Sequence, residues 1–306
     1  MFENVPTRLE EALRRHCRQF DDQNFRDTTA AGLVIAEFLK VLPTGPESNR
    51  FFEFLQREDG SVSFSHATRL KSIAETLFLF RSNKSFPEIC RRFRSRDFRS
   101  TFFELFCSRL FSDAGFEIFV HPESGMKGKD FDFVAIRDST TFNVEVTSIN
   151  TEFFSSNTIK NALDRKRTQL PTDAPSVVFV IIPPSWLVEK YIDFSLMFSC
   201  HQFLRGTRRV NAVSLILDRQ INLDCSDNQG LIVFSCVTHV NTMPRHYASI
   251  DFLFPRTPSF LRNVISNGHM SDPRIIDEAR AMTRSSEFYR WIDYVLSNDD
   301  SARGVE

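Results

Sequence analysis

Apolar residues recur three and four apart at Leu9, Leu13, Cys17 and Phe20, and again at Ala31, Val34, Phe38 and Val41. That period marks amphipathic helices. The second is expected to be capped by Thr28 or Thr29 and to end at Pro43 and Gly45. Further helical pattern at 51–55 and 66–80, separated by an Asp59-Gly60 turn, completes an all-helical block over residues 1–88. Nothing in that block has catalytic spacing.

Past a cluster of arginines the period changes. Residues 98–111 read as a helix with Gly115 as its cap, followed by a short strand at 116–120. Strands at 131–136 and 142–149 are joined by the polar turn 137–140, the pattern of a hairpin. A helix at 158–170 stops at Pro171, and the β-branched run 176–182 reads as a strand buried on both faces. A helix at 188–204 and strands at 212–217, 231–240 and 250–254 follow. The segment 258–297 returns to helix, with Phe288, Trp291, Ile292 and Val295 on one stripe. The expectation is an α/β fold in three parts: a helical domain at 1–88, an α/β core at 89–256, and a helical segment with a frayed tail at 257–306.

Composition narrows the function. Phenylalanine supplies 33 of 306 residues against 4 tyrosines, so the interior is expected to be built on rings that need no polar partner. A formal net charge of −1 leaves no global basic field, and any nucleic-acid surface must be local. Six cysteines without a CxxC pair argue against a zinc ribbon and a dense disulfide framework. The seven histidines show no HxxxH or HExxH spacing, and the P-loop, dinucleotide and nucleophile-elbow motifs are missing. The first residues turn charged too soon for a secretory signal, and the run at 177–182 is too short to span a bilayer. A cytoplasmic protein with no membrane partner is expected.

The chemistry lies in four acids. Asp130 and Asp132 fall in KDFDFVA, Glu145 in FNVEVTS, and Glu104 on the helix before them. Strand alternation puts Asp130 and Asp132 on one face and Asn143, Glu145 and Thr147 on one face. Facing side chains in a hairpin have Cβ atoms about 5 Å apart, so Asp132 and Glu145 can converge, with Glu104 approaching from the helix. Two carboxylates at that separation repel by roughly 3 kcal/mol at an effective dielectric near 20. A shared proton, a cationic side chain or a divalent ion must compensate, and carboxylates with water are what Mg²⁺ prefers.

The stretch 98–182 resembles the PD-(D/E)XK nuclease superfamily, the restriction-endonuclease-like fold. The likeness rests on KDFDFVA followed by NVEVTS, on Glu104 in the preceding helix, and on the order α-β-β-β-α-β. It implies a mixed-sheet core in which Asp132 and Glu145 hold Mg²⁺ or Mn²⁺, with Glu104 as a further ligand or orienter. Asp130 is the less suited occupant of the aspartate position. The family's lysine belongs two residues after Glu145, where this chain has Thr147. The helix at 158–170 offers Lys160, Lys166 and Gln169 instead, and Lys166 is chosen because its long stem can carry an ammonium to the sheet edge.

The function implied is metal-dependent hydrolysis of nucleic acid, with DNA ahead of RNA. The alternative is a nuclease scaffold that binds nucleic acid or a protein without cleaving. Phosphate contacts are expected from Arg91, Arg92, Arg94 and Arg96, and from Lys127 and Lys129 in the loop before Asp130. The helical domain is a candidate surface for a second copy or another protein. Each piece also has a plainer reading: acids alternating with phenylalanines make a solvated strand face, and lysines on a helix make a charged surface.

Overall fold

The computed structural model describes residues 2–40, 64–120, 131–188, 192–222, 230–254 and 286–297. Those residues form eight α-helices and one six-stranded mixed sheet, an α/β architecture. The helices are α1 (Thr7–Cys17), α2 (Gln23–Leu39), α3 (Phe64–Phe80), α4 (Phe86–Ser95), α5 (Phe98–Asp113), α6 (Ser156–Gln169), α7 (Ile192–Arg205) and α8 (Glu287–Ser297). The strands are β1 (Glu117–Phe119), β2 (Phe133–Arg137), β3 (Thr140–Ser148), β4 (Ser176–Ile182), β5 (Ala212–Asn222) and β6 (Gly230–Val240).

Strand order in the sheet follows the chain, β1 to β6. β1, β2 and β3 form an antiparallel meander, β4 and β5 run parallel to β3, and β6 returns antiparallel to β5. Parallel neighbours need a crossover, which α6 supplies between β3 and β4 and α7 between β4 and β5. β4 is buried along its whole length, as its apolar run requires.

Each face of the sheet carries its own apolar cluster. On one face Phe133, Phe142, Val144, Phe179 and Ile181 pack with α5 and the N-terminal helices. On the other, Val178, Val180, Ile182 and Leu215 pack with Ile159 and Leu163 of α6 and Leu196 and Cys200 of α7. Phe111 is the hub of the first cluster, its ring lying within 5.0–6.2 Å of Phe116, Phe133, Phe142, Phe179 and Phe252. Rings stacked edge to face fill this interior without any hydroxyl to satisfy.

α5 ends in a Schellman motif. The Gly115 N–H donates to the Ser112 carbonyl and the Phe116 N–H to that of Phe111. Gly115 takes φ +84°, and the Phe111 and Phe116 rings meet 5.5 Å apart beneath the turn.

Several elements differ from the sequence pattern. α2 starts at Gln23, five residues before Thr28, because Asp22 accepts from the Phe25 N–H and caps it; Thr29 instead bonds back to the Phe25 carbonyl inside the helix. Residues 250–254 form no strand. Ser249 bonds the Asp251 carboxylate, and Asp251–Leu253 turn as a 3₁₀ helix that lays Phe252 on Phe111. The boundary expected at residue 88 is no break either, since it falls inside α4, whose first turn holds Pro87. The apolar interior is continuous across residue 88, from Leu9 and Leu13 through α5 and the sheet to Trp291 and Val295. α8 does carry the expected stripe, with Phe288, Trp291, Ile292 and Val295 buried. α2 also ends before Pro43 and Gly45, at Leu39, where Lys40 takes a left-handed φ of 56° and its N–H bonds the Ala36 carbonyl; the segment 51–55, the Asp59-Gly60 turn and the helical pattern at 258–285 lie outside the described residues.

Candidate active site

The hairpin of β2 and β3 brings two acids together. Phe133 pairs with Val144, and one step further the Asp132 N–H donates to the Val144 carbonyl at 3.1 Å, so Asp132 stands opposite Glu145. The Asp132 Oδ2 then accepts from the Val146 N–H at 2.7 Å. A carboxylate bonded to the backbone of the neighbouring strand is fixed in place before any ligand arrives.

Glu145 is 1% exposed. One of its oxygens, Oε1, accepts from the Lys166 ammonium; the other, Oε2, is buried with no hydrogen-bond partner. Lys166 arrives there because it follows Ile159 and Leu163 at seven and three residues, on the inner stripe of α6. Its stem lies along the sheet and its head reaches the acid. Thr147 points to the same face as Glu145, buried and two residues on, in register with Val180.

Glu104 enters from α5. Its Oε2 accepts from Arg92 at 2.9 Å and its Oε1 from Arg96 at 3.1 Å. Arg92 is 3% exposed and its guanidinium is shared: Nε donates to Glu88 at 3.2 Å, and Nη1 also donates to the Asp132 carbonyl at 3.1 Å. The same Nη1 lies 4.0 Å from Asp132 Oδ1. Arg92 thus joins α4, α5 and β2 in one polar knot.

Burial pushes the Glu104 carboxyl up to about 7, and the charge of Asp132 adds to the rise against the pull of Arg92 and Arg96. Burial pushes Glu145 up to about 8, again with Asp132 adding to it, while Lys166 draws it back. Each acid is therefore raised first by loss of water and second by its neighbour.

Among the described residues no group of three or more His, Cys, Asp and Glu side chains is arranged to hold a metal ion. Both oxygens of Glu104 are taken up by arginines, which suits it to hold them in place and not to ligate an ion. Asp132 and Glu145 remain. Their donor set is two carboxylates, one with a buried oxygen that lacks a partner, and Mg²⁺ is bound through one or two carboxylates with the rest supplied by water or phosphate. The two residues fit such an ion.

The arginine cluster divides. Arg92 faces inward, Arg96 is partly buried against Glu104, and Arg91 is exposed but paired with Glu88 at 2.7 Å. Arg94 is exposed, and Arg99 donates to Asn150 at 3.2 Å. The expectation that Arg92 meets phosphate at the surface is corrected: buried and bonded to two carboxylates, it cannot. Lys127, Lys129 and Asp130 lie outside the described residues. Sequence reasoning missed the roles of Arg92 and Arg96 as partners of Glu104. A signal existed for the first, since Arg92 sits with Ile89 and Phe93 on the buried stripe of α4. An open depression lined by Lys84, Glu88, Arg91 and Phe119 includes neither Asp132 nor Glu145.

No family model matches the sequence, and comparisons with curated proteins and with solved structures return no match.

Proposed function

We propose that this chain is a metal-dependent phosphodiesterase of nucleic acid, built on a restriction-endonuclease-like core of the PD-(D/E)XK kind. The observation that carries the reading is the ion pair between Lys166 and buried Glu145, opposite Asp132. It supports an acid, acid and lysine set in which the ammonium comes from α6 while Thr147 occupies the strand position. The order α5-β1-β2-β3-α6-β4, a meander followed by a parallel crossover, is consistent with such a core.

Asp132 and Glu145 would hold Mg²⁺ or Mn²⁺, which supplies Lewis acidity towards a phosphodiester oxygen. Asp132 is held by the Val146 N–H, so it presents Oδ1 without reorganising. Lys166 keeps positive charge beside the point where the phosphoryl group gains negative charge and can orient a water there. Arg92, itself held by Glu104, positions Asp132 at the entry to β2 through its carbonyl. Arg94, and Lys127 and Lys129 ahead of Asp132 in the sequence, are the proposed backbone contacts, with DNA ahead of RNA. A reducing, cytoplasmic setting is supported by the five free cysteines among the described residues. No helix among those residues is long and apolar enough to cross a membrane.

Cleavage of plasmid and oligonucleotides with Mg²⁺ or Mn²⁺ tests this. Glu145→Gln and Lys166→Met are expected to lose at least about a hundredfold in rate, and Thr147→Lys is expected to restore part of the Lys166→Met loss. Equal rates in wild type and Glu145→Gln, or none in either, would sink the reading. A binding protein without turnover is favoured by one observation: Arg92, Arg96 and Lys166 already compensate the acids. Calorimetry showing nucleic-acid binding but no Mn²⁺ heat would select it.

A further inference from the structure

The segment joining β3 to α6 links the strand of Glu145 to the helix of Lys166, and it is pinned at nearly every step. Asn150 accepts from Arg99 at 3.2 Å, the Thr151 carbonyl from the Trp186 indole at 2.9 Å, and the Glu152 carbonyl from the Ser185 hydroxyl at 2.9 Å. Phe154 packs edge-on against the fully buried Trp186, ring centroids 5.1 Å apart. Between those anchors Phe153 is 74% exposed. A flexible loop would fold such a ring away from water; this one displays it.

We propose that Phe153 is a stacking platform for an unpaired base of the nucleic-acid substrate. The inference rests on the phosphodiesterase reading and assigns that site a substrate class, single-stranded or locally melted nucleic acid. Every base has a π-face, so an exposed ring takes single strands with little sequence preference, whereas bases in a duplex are already stacked on each other.

Placement supports this occupant. Three residues of β3 separate Glu145 from Ser148, about 10 Å of strand. Ten residues of α6 lead from Ser156 back to Lys166, about 15 Å of helix. Phe153 lies on the seven-residue connection between those two ends, five residues past Ser148 and three before Ser156, so one short pinned segment joins the ring to both the strand of the acid and the helix of the lysine. The stretch 149–157 holds no Lys or Arg and carries Glu152. It is suited to a base face and not to the phosphate backbone, so its contribution should not depend on salt.

The experiment measures binding of a single-stranded oligonucleotide containing 2-aminopurine, and of its duplex, to the full chain without divalent ions. F153A is expected to bind the single strand about tenfold more weakly and to lose the base quenching, with duplex binding within about twofold. F153W is expected to retain both, and the F153A deficit should be equal at low and moderate salt. Equal single-strand affinity in wild type and F153A overturns the platform. If wild type and F153A also cleave equally, the phosphodiesterase reading survives that result. Wild type that binds no nucleic acid removes both.

Discussion

A carboxylate as deeply buried as Glu145 keeps its charge only while a cation stays beside it. Lys166 is that cation, and its removal has a signed consequence. The native Glu145 value of about 8 lies above the ordinary 4.5, so folding takes up a proton between those values. The stability contributed is full at low pH and is lost as pH rises through 8. In Lys166→Met the acid stays protonated at pH 5 and the loss is small. At pH 9 the wild type holds the ion pair, whereas the variant carboxyl, raised further without the ammonium, must either keep its proton or stand as a lone buried charge, and the deficit should approach about 3 kcal/mol. Urea unfolding at both pH values checks this; a pH-independent deficit would contradict it. Residues of this kind were partly legible. Period-two alternation is enough to set Asp132 opposite Glu145; a long stem made a helix lysine a reasonable partner, but what separates Lys166 from Lys160 is its place three residues after buried Leu163. Arg92 was legible only as a member of the buried stripe of α4 and Arg96 not at all, because nothing local to 91–96 says that α5 folds back beside α4 with Glu104.

Elements were read best where their ends are written in short-range chemistry. Gly115 followed by an aromatic after an apolar helical run marks a helix stop, and α5 ends there. Replacing Gly115 by Ala forces a Cβ into φ +84° and should cost about 1–2 kcal/mol, read as a shift in the denaturation midpoint without change in slope. Nothing but Arg137 comes within 4 Å of the added atom, so the cost is conformational and not steric. α2 was read short because Thr28 and Thr29 look like caps, while Asp22 outcompetes them from a position with no apolar period around it. The 3₁₀ turn at Asp251–Leu253 was read as strand because its apolar spacing is that of a strand, while its Leu253 and Phe254 N–H groups bond the carbonyls three residues back and Ser249 bonds the Asp251 carboxylate.

At the scale of the molecule, the three-part division is not a division of the interior. Phe102, Phe103 and Leu105 of α5 are buried in the cluster that also holds Leu13, Leu77 and Trp291. Arg81, bonded to Glu287 at 2.6 Å and seated 4.0 Å over Phe78, ties α8 into the same block. A chain starting at residue 89 would leave that cluster open. It is expected to bind a hydrophobic dye and to lack a cooperative thermal transition, where the full chain shows one. Continuity of this kind is invisible to a composition scan, because the arginines and Pro87 near residue 88 look like a linker while the apolar faces on either side carry no mark of what they meet.

The crossover helix that delivers Lys166 is held to the sheet by only two fully buried side chains, Ile159 and Leu163, with Arg209 gripping its last carbonyls. β4 beneath it is sealed from end to end. On warming, amide exchange should therefore quicken along α6 well before it does along β4. The ammonium then leaves its acid while the sheet still stands, and whatever chemistry the pair performs becomes the first casualty of heat, ahead of any loss of shape.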